Sequence, residues 1–134
     1  MNNSVNAIDE VRLEWAVITL RSDKIIHIHN LLNGPMSLEI SKKIVNARSR
    51  LAKNKPYPML YTSENPTVTA SEELTEYLLT EERNRLVLAD AFVITSFSQR
   101  LAAKMYFNLK KPVKPTSFFP NEEQAVKWLR KFVE

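Results

Sequence analysis

The segment Ala89–Thr95 contains the run Ala91-Phe92-Val93-Ile94, in which neither the odd nor the even positions are polar. Successive side chains of a strand point to opposite faces, so a strand built from this run must be covered on both sides. That is the situation of a parallel sheet with helices packed over it, and the segment is expected to form the central strand of such a sheet. The rest of the chain then has to supply further strands and the helices that cover them.

Upstream, Val11–Leu20 is apolar or β-favouring almost throughout, and Lys24–Asn30 repeats that character with Ile26 and Ile28 alternating against His27. Ser22-Asp23 between them suits a turn, which predicts a leading β-hairpin. Asn33-Gly34-Pro35 breaks the strand, and Ser37 is placed to cap a helix with Ile40, Ile44, Ala47 and Leu51 on one face. Lys42, Lys43, Arg48, Arg50 and Lys53 occupy the remainder of that helix. Lys55-Pro56-Tyr57-Pro58 ends it, because the residue before a proline is pushed out of the α region, and Tyr57–Tyr61 follows as a short strand.

Thr69 with Glu72 forms a capping-box pattern for a second helix that buries Leu74, Tyr77 and Leu78 beneath an acidic outer face. After the apolar strand, Ser96 with Gln99 opens a third helix carrying Leu101, Met105 and Leu109 towards the core. It ends at Lys110-Lys111-Pro112, where cations favour the negative helix terminus, and Thr116–Phe119 follows as a strand. Asn121 with Gln124 caps the last helix, whose Ala125, Trp128, Leu129, Phe132 and Val133 keep the helical period. The element order is ββαβαβαβα, an α/β chain with one domain over residues 10–134 and a disordered or loosely attached stretch at 1–9.

The chain of 134 residues has a single glycine, Gly34, and no cysteine. One glycine excludes glycine-rich phosphate loops and the dinucleotide fingerprint, which need several residues without Cβ near the phosphates. The lack of cysteine excludes disulfides, iron–sulfur clusters, thiolate zinc sites and a cysteine nucleophile. A formal net charge of +4 is a mild excess that favours contact with phosphates or acidic surfaces. Residues 1–10 hold no lysine, arginine or apolar signal region, and no later apolar run approaches the roughly 18 residues of a membrane span, so a cytoplasmic location is expected.

The order of elements, together with Lys55-Pro56-Tyr57-Pro58-Met59-Leu60, Ala89–Ser96, Lys111–Phe119 and Glu123–Leu129, resembles the bacterial SpoIIAA-like group of the STAS superfamily. The likeness spans roughly residues 10–134 and leans on the ending K-P-x-x-P-T-x-x-F … E-x-A-x-x-W-L. It implies an open mixed sheet, a leading antiparallel hairpin followed by a β/α superhelix with parallel strands, and no cofactor. Anti-sigma-factor antagonists of that superfamily carry a phosphorylatable serine or threonine where a helix starts after the third strand. The resemblance maps that place onto Tyr61–Ser71, although the antagonists' Asp-Ser-Ser-Gly-like turn is missing.

Other chemistry-bearing residues are few. His27 and His29 lie two apart on one strand and share a face, so one ion could bridge them, but a third ligand would have to be a carboxylate. The same imidazoles are the only bases available to a serine such as Ser63 or Ser96, and no nucleophile-elbow pattern accompanies them. Charge is polarised by helix: no acid lies between Ser41 and Lys55, and no base between Glu64 and Glu82. Two copies could therefore complement one another. The basic helix holds no aromatic ring for stacking on bases, so nucleic acid is not the expected partner.

The expectation is a non-enzymatic regulatory or protein-interaction module with no catalytic or metal site. Its contact surface would be Tyr61, Thr62, Ser63, Thr67 and Thr69, with Ser96 on the neighbouring rim, where a helix N-terminus offers free amides and open α/β sheets place ligands. The alternative, which the resemblance implies through lipid-carrying CRAL-TRIO relatives, is a carrier of a small apolar ligand on the apolar side of the second and third helices.

Overall fold

In the computed structural model, residues 6–65 and 71–134 are described. Six strands form one sheet in sequential order: β1 (Ala7–Arg12), β2 (Ala16–Arg21), β3 (Ile26–Asn30), β4 (Tyr57–Ser63), β5 (Val87–Val93) and β6 (Thr116–Phe119). The β1–β2 and β2–β3 pairs are antiparallel, and β3 to β6 pair in parallel. The helices are α1 (Leu38–Ala52), α2 (Glu72–Tyr77), α3 (Glu81–Asn84), α4 (Phe97–Lys110) and α5 (Glu122–Leu129), with a 3-10 turn at Arg130–Phe132. The fold is α/β, an open mixed sheet with an antiparallel start and parallel strands after it.

Crossovers that share one hand and step in one direction across a sheet put their helices on one face. Accordingly α1 closes a core with Ile18, Ile26, Ile28 and Met59, and Phe107 of α4 reaches Phe118 on the same side. On the opposite face α5 packs Ala125, Val126 and Leu129 against Leu60, Ala89 and Ala91. Thus β5 is covered on both faces as its composition requires, but it is the fifth strand of six, not the central one.

Several expectations are corrected. The Val11–Leu20 run is two strands: it folds back at Leu13–Ala16, where the Leu13 amide donates to the Ala16 carbonyl at 2.8 Å. No glycine, proline, asparagine or aspartate marks that turn, so the uninterrupted β-favouring pattern conceals it. β1 starts at Ala7, inside the stretch expected to be loosely attached. The second helix is capped by Ser71, whose side chain accepts from the Leu74 amide at 3.1 Å, not by Thr69, which lies outside the described residues. Thr80 then caps a separate α3. The largest correction is α4: it buries no residue, and Leu101, Met105 and Leu109 are exposed.

Candidate functional site

Among the described residues, the candidates Tyr61, Thr62, Ser63 and Ser96 do not converge. Tyr61 and Thr62 are adjacent on a strand, so they project to opposite faces of the sheet. Ser63 turns its hydroxyl to donate to the Asn65 carbonyl at 2.9 Å, and Ser96 caps α4 by accepting from the Gln99 amide at 3.3 Å. Thr67 and Thr69 lie outside the described residues.

On the α1 face Tyr61 enters a buried cage that the sequence reading missed. Asp90 accepts from Arg83 Nη1 at 2.7 Å and Nη2 at 3.1 Å, and Arg83 Nη2 also reaches the Tyr61 hydroxyl at 2.8 Å. Arg48 donates to the same hydroxyl and to the Arg83 carbonyl. Arg48, Arg83 and Asp90 are 1%, 3% and 3% exposed, and among the described residues Arg48 Nε finds no acceptor. Burial opposes the Arg48 charge and raises the Tyr61 phenol. Burial also works against Arg83, but Asp90 and Tyr61 outweigh it and hold its pKa above the usual arginine value. Two guanidinium groups thus face one carboxylate.

Two signals in the sequence point to this cage. Arg48 stands four residues after Ile44 and three before Leu51, on the apolar side of α1, and Asp90 sits between Ala89 and Ala91 in an apolar strand. A charge in either place needs a buried partner. Neither signal names Arg83, because β5 register and the α3 turn bring it there.

On the opposite face Thr62 Oγ1 lies 2.6 Å from His27 Nε2 and 2.6 Å from His29 Nδ1, and His29 Nε2 lies 2.8 Å from Glu64. The histidines do share a face, and the hydroxyl fills the point between them. Burial lowers the His27 pKa from 6.5. Among the described residues no group of three or more His, Cys, Asp and Glu side chains could hold a metal ion. Glu64, His29 and Thr62 stand in the order of carboxylate, base and hydroxyl, with β4 in parallel register between β3 and β5.

The third feature is α4 itself. A row of rings crosses the sheet from Tyr61 to Phe92 (4.7 Å between centroids), Phe118 (5.6 Å) and Phe107 of α4 (5.5 Å), which is how the helix is held. Arg100 ties its first turn to the sheet by donating to the Ile94 and Thr95 carbonyls at 2.7 and 3.0 Å. The cavity between α3, β5 and the end of α4 measures about 10 Å³ and is lined by Arg83, Asp90, Phe92 and Phe107 among others. It has room for about one water. Outward, α4 displays Phe97, Leu101, Met105 and Leu109, with Val113 exposed just beyond.

These features define a domain of SpoIIAA-like fold with a polar cage under one end of its sheet and an uncovered apolar helix. The structure is similar to a crystal structure of an uncharacterized protein of the DUF3478 family, with a SpoIIAA-like fold, from Shewanella loihica PV-4. The TM-score is 0.54 at 15% identity, over 96% of this chain and 98% of that one. The chain belongs to the family described as Domain of unknown function (DUF7793), whose model matches residues 18–133. No curated protein matches it. Among the described residues no helix is long and apolar enough to cross a membrane.

Proposed function

We propose that this protein is a non-enzymatic interaction module of STAS-like type that acts in the cytoplasm by docking the outer face of α4 against a partner surface. One observation carries this reading: Phe97, Leu101, Met105 and Leu109 are 71%, 47%, 60% and 84% exposed along a single helix. A contiguous apolar patch on a domain surface marks an interaction site far more often than isolated apolar residues do. The guanidinium groups of the cage are directed at Asp90, Tyr61 and the backbone, which fits a structural role and leaves α4 as the outward feature. A carrier of small apolar ligands needs a cavity of roughly 300 Å³ or more, far above the space beneath α4. Thr62, Ser63, Thr67 and Thr69 belong to the same proposal as regulatory positions. A phosphoryl group on Thr62 or Ser63 would add roughly two negative charges at one end of β4.

A photo-crosslinking side chain at Met105, compared in cells with one at the exposed Lys127 of α5, tests the docking face. Adducts by intact mass at 105 and not at 127 are expected. No adduct at 105, or equal labelling at both positions, would overturn the proposal.

A further inference from the structure

The histidine cluster on the α5 side of the sheet carries a property of its own, independent of the docking role of α4. Thr62 Oγ1 lies 2.6 Å from His27 Nε2 and 2.6 Å from His29 Nδ1, and among the described residues it has no third hydrogen-bond partner. A threonine hydroxyl holds one proton, so it can donate to one of these imidazoles only and must accept from the other. The two rings therefore cannot place their protons separately.

Glu64 fixes the direction. Its carboxylate lies 2.8 Å from His29 Nε2, and an ionised carboxylate only accepts, so that nitrogen carries a proton. While His29 is neutral its Nδ1 is bare: Thr62 donates to it and accepts from His27, whose proton is on Nε2. When His29 is an imidazolium, its Nδ1–H donates to Thr62 and the hydroxyl turns its own proton towards His27. The Nε2 of a neutral His27 must then be bare, with the proton on Nδ1.

The charged groups facing the pair come from every neighbouring element. Glu64 follows β4, Arg21 belongs to β2 and Glu122 begins α5. Asp23 holds Arg21 at 2.9 Å and Arg130 at 3.4 Å. Register places Glu10 and Arg12 of β1 on the same side, paired to one another at 3.0 Å. Burial disfavours a charge on His27, and Arg21 and His29 add to that against Glu122, so His27 responds as a neutral ring.

We infer that Thr62 is a hydroxyl switch that ties the tautomer of His27 to the protonation of His29. One proton is taken up, at His29 Nδ1. His27 releases a proton to solvent from Nε2 and takes one from solvent on Nδ1, exchanging an acceptor there for a donor. The His29 and Glu64 side chains are 32% and 66% exposed, so acidity at the rim of β4 is read out deeper on the sheet face.

Imidazole 1H–15N spectra of the full chain from about pH 8 to about pH 5 test this, because bare and protonated ring nitrogens resonate apart. At the alkaline end both rings are expected as Nε2–H tautomers. As His29 gains its second proton, His27 should pass to the Nδ1–H tautomer with the same midpoint. Thr62→Val keeps the β-branched shape, and should leave His29 titrating while His27 no longer follows it. His27 holding Nε2–H through the His29 transition, or gaining both protons together with it, would overturn the inference. So would His29 found as Nδ1–H at the alkaline end, or a His27 change that survives in Thr62→Val. Should that variant fail to fold, the wild-type spectra decide alone.

Discussion

α4 and α5 flank the same short strand and both carry an apolar face, yet the sheet treats them differently. α5 is eight residues long and buries Ala125, Val126 and Leu129 against β4, β5 and β6, whereas α4 is fourteen residues long and buries none. α5 lies across the paired interior of its face. α4 leads into β6, the last strand of the sheet and only four residues long, so most of the helix lies over a margin. An apolar period reports that a helix has a side that water disfavours. The position of the helix over the sheet decides whether the domain itself covers that side.

The sharpest way to break the comparison is at the cage, which stands for the well-anchored part of the α4-bearing face. Asp90→Ala leaves Arg48 and Arg83 as buried cations without a carboxylate, and should cost about 3–5 kcal/mol in urea unfolding. A loss below about 0.5 kcal/mol, the range of surface changes, would mean that the whole face is loosely held and that α4 is no exception. Within the helix pair, Leu129→Ala should cost about 2–5 kcal/mol, while Leu101→Ala and Met105→Ala should each stay within about 0.5 kcal/mol. Equal costs would show that α4 is packed after all.

A smaller effect is expected from pH on the α5 face. Burial lowers His27 below 6.5, with Arg21 and His29 acting in the same direction and Glu122 opposing. The unfolded chain therefore takes up the proton first, so this contribution to stability is full above pH 6.5 and falls as the pH drops towards the folded-state value. His27→Gln should flatten that part of the stability profile. An equally steep fall in the variant would place the titration elsewhere.

Much of the fold was legible because it follows from local rules. Ser37, Ser96 and Asn121 cap the helices they were expected to cap, each accepting from an amide three residues on. The prolines around Tyr57 and the apolar run at Ala91–Ile94 placed two parallel strands. The turn at Leu13–Ala16 was hidden because it holds none of the usual turn residues and is flanked by β-favouring runs, and its conformation is set by pairing between β1 and β2. The candidate site was legible only in part. Thr62 was singled out, but its contact with both imidazoles depends on the parallel register of His29 opposite Thr62. Tyr61 was singled out too, whereas Arg48 was read with the polar remainder of its helix despite standing between Ile44 and Leu51 on the apolar side, and Arg83 was not singled out because long-range packing brings it there.

The sequence by itself determined which segments become strands and helices, where most helices start, and that several helices carry an apolar side. Those outcomes depend on backbone preferences, capping groups and the spacing of side chains within a few residues. Tertiary structure decided which of those sides meets another surface, since burial depends on where a helix lands relative to strands far away in the chain. It sealed Arg48 of α1 against the sheet and left Leu101 and Met105 of α4 in water, although the periodicity of the chain gives both helices an apolar side.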